Sequence, residues 1–582
     1  MSGIDGKSAG KRESKGGITS AAIILLVVSV AVMLPALGFG DILRGQDALI
    51  HTRWQAAYAP VFWSGDIFPR WLPDMNKGFG SPVFFIYPPL SQMFAALAYP
   101  LAPGTEWTSY RIALSVTVAI FAGAFGTFLW LKNHTASRSA PIWGAIAYTL
   151  APYHLFIDTY FRGAFAEVWS FAPLPFALLA VDHFFRKVHA AFTGLVLSLA
   201  CAILLHAPSV LITVPVVGLY AALAAWRQRS LAPCLLFLAA AATAMLLCGA
   251  YLGTALTQVN MIRSEKLFGG LLVSTKWLLG RNVWPDIPIM VMVIVAAVAQ
   301  VGVAIDLFRN AVTRERTGLF TSRLTFPLIL MIVSVIMTTD ISEPLWSLNT
   351  PLNRIQFPWR LLSIQALAIA ILCAYAIDKA NVPATAVGAV AHRSVFFAIG
   401  LMLAINAALY IFCIVYGGDS GRVREALIED TTDAPEYQLG DIKLLEAHFP
   451  GNARTLALSG GGDIDVTQWK PRRIELATSS PEEMRVAIRQ FAYTGWQYSQ
   501  DGGPMQDAGI LSDDEPVVVI SIPPGAHNTV ISMPPTKQET VGWMASLGGL
   551  LCLAAGTAAL ARWRPAHTGD IGFGRATQAR QN

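Results

Sequence analysis

Groups able to do acid–base or phosphate chemistry recur at the ends of long apolar runs in this chain. Asp47, His51 and Arg53 form one stretch, Asp158, Arg162 and Glu167 a second, His206 a third, and Gln356 with Arg360 a fourth. Ionisable side chains at the edge of a bilayer are costly to keep, so by default they mark a substrate site. A topology count, given below, puts all four stretches on one side of a membrane. That convergence points to membrane-embedded chemistry on a charged, lipid-linked substrate.

The residue types suggest distinct roles. In Asp47-Ala-Leu-Ile-His51-Thr-Arg53-Trp54, helical spacing would place Asp47, His51 and Trp54 on one face. A carboxylate backed by histidine and arginine suits general-base work on an acceptor hydroxyl; the plainer reading has Asp47 capping a helix. The same loop carries Gly65-Asp66, Pro69-Arg70-Trp71, Gly78-Phe-Gly80-Ser-Pro82 and Tyr87-Pro-Pro-Leu90. Glycine and proline at that density specify a shaped loop, which brings Asp66, Arg70 and Tyr87 into the substrate-binding set. Arg162 and Glu167 either pair with one another or offer a guanidinium fork to phosphate. His206 breaks two spans and taken alone reads as a satisfied buried group. Arg354 and Arg360 either clamp a lipid phosphate or snorkel beside Trp359.

These groups need spans to carry them. Of 582 residues, 54% are hydrophobic and 14% charged, with mean hydropathy +0.50. That excludes an ordinary soluble domain. Apolar runs of spanning length fall near 18–39, 109–131, 139–156, 166–184, 190–205, 208–226, 232–254, 287–308, 324–339, 360–377, 394–416 and 541–561. The first follows Lys7, Lys11, Arg12 and Lys15 and is longer than a signal-peptide core, so it reads as an uncleaved anchor with a cytoplasmic N-terminus. About twelve spans leave Lys132, Arg186, Lys187, Arg227, Arg229, Arg309, Arg393 and Arg562 in inner loops, as the positive-inside rule requires. The count holds only if the proline-bearing run from Val83 to Leu101 lies along the outer face; a thirteen-span alternative would invert every later loop. The net charge of +5 resides in the inner loops and implies no nucleic acid. All six cysteines fall inside spans at no metal-ligand spacing and read as packing residues.

The hydrophilic stretch 417–540 is long enough for a domain. Period-two runs beginning at Arg473, Met484 and Val517, punctuated by Gly460–Gly462, Gly502-Gly503-Pro504 and Pro523-Pro524-Gly525, predict a β-sandwich. Arg422 to Ile428 suggests a short helix leading into it. Trp469 and Trp496 read as core residues sooner than ligand platforms.

As a set, the Asp47–His51–Arg53 run, Gly-Phe-Gly-Ser-Pro then Tyr-Pro-Pro-Leu, Tyr160-Phe-Arg162-Gly163-Ala-Phe-Ala-Glu167, and Gln356-Phe-Pro-Trp-Arg360 resemble the membrane proteins labelled "6-pyruvoyl-tetrahydropterin synthase related". The resemblance covers most of the chain. The label does not describe the chemistry, because no His-rich zinc constellation is present in the sequence. The architecture looks like that of the C-type (GT-C) glycosyltransferases: many spans, a long first outer loop and one essential acid just after the first span. That resemblance implies a sugar donor on a polyprenyl-phosphate carrier and makes Asp47 the acidic residue. The chain departs from the family in having Gln46-Asp47 where paired acids are often seen.

The expected fold is therefore an α-helical polytopic membrane protein, GT-C-like, of about 12 spans, with a C-terminal extracytoplasmic β-sandwich-like domain. Its parts are a cytoplasmic tail 1–17, a membrane domain 18–416 with outer loop 40–108, the β-rich domain 417–540, a final span 541–561 and a tail 562–582. The expected activity is transfer of a sugar from a polyprenyl-phosphate carrier to a glycan or lipid acceptor, on the outer face of a bacterial inner membrane. Asp47 and His51 would be catalytic. Arg53, Asp66, Arg70, Tyr87, Asp158, Arg162, Glu167, His206, Gln356 and Arg360 would bind substrate. No cofactor is required, although a divalent metal is compatible with the chemistry. The rival functions are a transporter or flippase and a non-catalytic envelope assembly protein.

Overall fold

The computed structural model describes residues 5–39, 46–184, 186–264, 323–348, 351–380, 386–416 and 430–562. Among them, seven helices are long and apolar enough to cross a membrane: Gly17–Gly38, Thr105–Leu131, Phe165–Asp182, Val188–Leu205, Ala207–Gln228, Pro358–Asp378 and Lys537–Arg562. An eighth arises if the bent pair Ala232–Leu247 and Gly249–Thr257, kinked by 75°, counts as one span. The chain is a multi-pass membrane protein. The expected span at 287–308 and the short helix at 422–428 lie outside the described residues.

Several expected elements take a different form. The run 139–156 divides into helix α6 (Ala140–Leu150) and a π-helix (Tyr153–Arg162). Pro152 lies between them, and proline cannot continue the preceding hydrogen-bond ladder. From the wide π turn Arg162 reaches Asp47 at the start of the first outer loop. Val83–Leu101 breaks into α3 (Val83–Ile86), α4 (Leu90–Ala96) and a single 3-10 turn at Tyr99–Leu101. None of these is long enough to cross. The first outer loop opens with α2 (Gln46–Trp63), so the helical spacing read for Asp47, His51 and Trp54 holds.

The C-terminal region forms two antiparallel sheets, one of order β1 (Thr455–Ser459), β4 (Met484–Phe491), β8 (Val517–Ile522), β7 (Gly509–Ile510), the other of order β2 (Asp463–Lys470), β3 (Arg473–Ser480), β9 (Gly525–Ser532), β5 (Gln497–Gln500), β6 (Gln506–Asp507). The three period-two runs form β3, β4 and β8, while β9, which begins at the Pro523-Pro524-Gly525 turn signal, is not among them. The buried faces do not close on each other alone. Ile474, Leu476, Val486, Ile488, Val518 and Ile531 share one apolar cluster with Trp54, Trp71, Phe79, Phe84 and Phe85 of the first outer loop. Polar bonds stitch this seam. Trp71 Nε1 donates to Gln490 Oε1 at 2.6 Å, Phe491 N–H to the Phe79 carbonyl at 2.6 Å and Arg489 Nε to the Lys77 carbonyl at 2.8 Å. Trp496 is core as expected, whereas Trp469 is half-buried with Arg454 5.0 Å above its ring.

The segment leading into the sheets closes the seam. Arg53 pairs with Asp430 at 2.9 Å and donates to the Thr432 carbonyl at 2.8 Å. The buried Asp433 accepts from Trp54 Nε1 at 2.7 Å and from the Ser81 hydroxyl. The final helix is held by Glu539, which takes both Arg472 nitrogens at 3.0 Å and lies 3.4 Å from Arg70. It packs on α12 (Gly249–Thr257) backbone to backbone: a Cβ on Gly253 would meet the Gln538 carbonyl at 2.9 Å.

Burial raises the Asp433 carboxyl to about 6, because the ionised form loses its hydration. The folded chain therefore holds this proton more tightly than the unfolded chain. The stabilisation is complete below pH 4 and is lost as pH rises through 6. Asp433→Asn should flatten the wild-type fall in melting temperature across that window. The difference should be on the order of 3 kcal/mol at most, read by thermal unfolding in detergent from pH 4 to 7.

Candidate active site

Four stretches separated in sequence meet at one cluster of ion pairs. The π-helix ends at Gly163, whose φ of +64° is left-handed. Glycine is needed there twice over, since a Cβ would also come within 2.8 Å of the Ala48 Cα. That close approach delivers Arg162 to the first turn of α2. Arg162 Nη2 donates to Asp47 Oδ2 at 2.8 Å, and Nη1 donates to Asp158 Oδ1 at 2.6 Å and Glu167 Oε2 at 2.8 Å. Glu167, in the first turn of α7 (Phe165–Ser170), also accepts from Arg360 Nε at 3.0 Å and from the Tyr153 hydroxyl at 2.7 Å. Arg360 Nη1 is held by the Gln356 side-chain oxygen and the Ile355 carbonyl, each at 2.8 Å. Gln356 itself has a φ of +68°.

Exposure separates the members. Asp158 is 0% and Glu167 2% exposed, whereas the Asp47 side chain is 41% exposed. Asp47 is therefore the acid open to an incoming molecule. Three carboxyl groups meet two guanidinium groups, one negative charge too many for a dry site. Burial first, then the neighbouring Glu167, push the Asp158 carboxyl well above the usual range. Its Oδ2 is buried without a hydrogen-bond partner.

Aromatic rings wall the cluster. Phe357 and Trp359 stack at 4.9 Å, and the guanidinium of Arg162 lies 4.8 Å from the Trp359 ring while that of Arg360 lies 4.9 Å from Phe357. Such contacts fix both cations without using their N–H groups. His51 lies among Trp54, Tyr87 and Phe165, with ring centroids 5.2–5.8 Å away. Gln92 Nε2 donates to its Nδ1 at 3.3 Å, which leaves the proton on Nε2. Burial lowers His51 to about 4 despite the raising influence of Asp47. It is neutral at ordinary pH and supplies a donor. His206, with Nδ1 2.7 Å from Ser209 Oγ, is lowered by burial and next by Arg360.

The structure thus brings together Asp47, His51, Tyr87, Asp158, Arg162, Glu167, His206, Gln356 and Arg360. It corrects three expected binding residues. Arg53 faces the Asp430–Thr432 segment of the outer layer. Asp66 caps the Phe68 N–H at 3.1 Å in its own loop. Arg70 is bound to Thr254 Oγ1, the Ala250 carbonyl and Glu539. Arg53 and Arg70 are drawn away by partners distant in sequence, Asp66 by its own loop. Conversely, Tyr153 and Gln92 support the cluster directly, and no local motif singles out either. The expected choice between an Arg162–Glu167 pair and a free phosphate fork resolves, for this state, to the pair. Among the described residues, no group of three or more His, Cys, Asp or Glu is placed to hold a metal ion.

Gly163→Ala should separate the π-helix from α2. Left-handed strain and overlap with Ala48 together should destabilise by about 1–3 kcal/mol. Hydrogen exchange across residues 46–63 should accelerate. Gly400→Ala, with open space around it, is the control that should leave both readouts unchanged.

No family model matches the chain, and no curated protein matches it, so the resemblance to the pterin synthase related proteins rests on its motifs alone. Among solved structures, the chain is similar to the cryo-EM structure of the arabinofuranosyltransferase AftD from Mycobacteria, at 16% identity and a TM-score of 0.39 over 67% of this chain and 26% of that one. It is also similar to the apo crystal structure of the Archaeoglobus fulgidus oligosaccharyltransferase, at 13% identity and a TM-score of 0.39 over 71% of this chain and 56% of that one. The chain spans about a quarter of the first protein and just over half of the second.

Proposed function

We propose that this chain is a GT-C-like membrane glycosyltransferase that moves a sugar from a polyprenyl-phosphate carrier to a glycan or lipid acceptor. The site would face the periplasm or exterior of a bacterial inner membrane. The observation carrying this reading is the cluster itself: a half-exposed carboxylate, Asp47, shares a guanidinium with two buried acids. An apolar groove of about 420 Å³ between α8 (Pro173–Asp182) and α9 (Val188–Leu205), lined by Phe94, Trp169, Phe176, Leu197, Cys201 and Leu205, supports a lipid-borne donor. Trp169 lies two residues after Glu167, and Leu205 immediately precedes His206.

The chemistry follows from these groups. A carrier phosphate arriving at Arg162 competes with Asp47 for Nη2 and releases the carboxylate. Asp47 then takes the proton of the acceptor hydroxyl as that oxygen attacks the anomeric carbon. The bond from this carbon to the phosphate oxygen breaks, its electron pair stays with the phosphate, and the configuration inverts. Arg162 and Arg360 stabilise the developing charge, the largest contribution such a preorganised site can make. His51 contributes an N–H.

A transporter reading draws on the kinked α11 (Ala232–Leu247) and α12, since broken helices are a transporter signature. At this break, however, the Ala250 carbonyl is taken up by Arg70 and its N–H by Ser546 Oγ at 2.8 Å, a structural use.

Asp47→Asn should lower transfer from a purified polyprenyl-phosphate-linked sugar by ~10²–10⁴-fold while carrier binding persists. Full activity in that variant would remove Asp47 as the base. Cells lacking the protein should accumulate the lipid-linked donor, measured by mass spectrometry of lipid extracts.

A further inference from the structure

Asp433 belongs to the outer layer, yet every polar contact of its carboxylate except one to its own chain neighbour reaches the first outer loop. It is 3% exposed; Oδ1 accepts from Trp54 Nε1 and the Ala434 N–H, each at 2.7 Å, and Oδ2 accepts from Ser81 Oγ. Its own N–H donates to Asn76 Oδ1 at 2.9 Å, so its backbone is fixed as well. Trp54 sits one turn after His51 and two turns after Asp47 on the same face of α2. Its indole meets the His51 ring edge-on at 5.2 Å and the Tyr87 ring at 4.6 Å. The adjacent Arg53 grips the same outer segment at Asp430 and Thr432. Arg162 and Gly163 hold the start of α2, and this second grip lies near its middle.

We propose that Asp433 is a positioning residue that sets the roll of α2 through Trp54, and so places Asp47 and His51 in the chamber. Side-chain atoms lie about 5–6 Å from a helix axis. A roll of about 20° would therefore carry the Asp47 carboxylate about 2 Å, well outside the ~0.5 Å tolerance of a working site. A buried indole N–H needs an acceptor, and a carboxylate is a stronger one than a neutral group. The outer sheets are thereby built into the site's geometry, not only roofed over it. The catalytic part of this inference rests on the transferase reading; the roll of α2 does not.

The test uses the full-length protein in lipid nanodiscs, with Asp433→Ala, Asp433→Asn and Trp54→Phe. Transfer from a polyprenyl-phosphate-linked sugar is followed as kcat and KM, and hydrogen exchange is mapped on the same samples. Asp433→Ala should lower kcat ~10–100-fold and leave the donor KM in place, because Arg162 and Arg360 are untouched. Trp54→Phe should act in the same direction. Asp433→Asn should recover most of the rate, since its amide oxygen still accepts from the indole and its nitrogen can donate to Ser81. Exchange in residues 46–63 should quicken in Asp433→Ala while β3, β4, β8 and β9 stay protected. An unchanged kcat, an Asn variant as impaired as Ala, or sheets that loosen together with α2 would each overturn the proposal. If the wild-type protein transfers no sugar, the transferase reading falls, and the exchange pattern alone judges whether Asp433 sets α2.

Discussion

A carboxylate buried between two guanidinium groups organises this molecule. Glu167 is 2% exposed and receives Arg162, Arg360 and Tyr153 on its two oxygens. Losing one partner from such an arrangement leaves an uncompensated charge in a medium that cannot solvate it, a penalty of about 3–5 kcal/mol. Three parts of the chain are therefore obliged to meet: the π-helix carrying Arg162, the entrance to the Phe165–Asp182 span, and the entrance to the Pro358–Asp378 span. Asp47 joins as a fourth member through the remaining nitrogen of Arg162. The same economy that holds the bundle together leaves one acid half in solvent, and this is the group with freedom to react.

The outer layer obeys a different constraint. Sheets of this kind bury one face, and here much of what covers that face comes from the first outer loop. Trp71, Phe79 and Phe85 share one apolar cluster with the buried residues of both sheets. A loop dense in glycine and proline is suited to this because it can follow the curved inner face of the sheets without regular pairing. The polar groups of its backbone are then satisfied by Arg489, Gln490 and Phe491 in β4.

Much of this was legible in the residues. Hydropathy located most of the spans, period-two runs located β3, β4 and β8, and charges at span ends located the cluster. The errors share one cause. Arg53, Asp66 and Arg70 stand in the same loop as Asp47 and look equivalent to it in one dimension. Asp430, the partner of Arg53, and Glu539, the partner of Arg70, lie hundreds of positions later, and no local pattern announces which charge will find which. Asp433 was invisible for the same reason, being one acid in a polar stretch. The division of 139–156 into α6 and a π-helix was missed because its apolar content suits a continuous span, and only Pro152 hints at the break. The helix 386–416 is continuous, as the run 394–416 implied, and five described cysteines are unbridged.

The shared core of the first loop and the sheets has a consequence for biogenesis. Trp71 and the Gln490 that satisfies it are separated by 419 residues. At ~5–20 residues per second of synthesis, the loop waits roughly 20–80 s for its covering strands. Throughout that interval Trp71, Phe79, Phe84 and Phe85 stand without their eventual neighbours from the sheets. Newly made chains thus pass through a half-dressed stage in which those rings have no covering strands until the carboxy-terminal residues arrive.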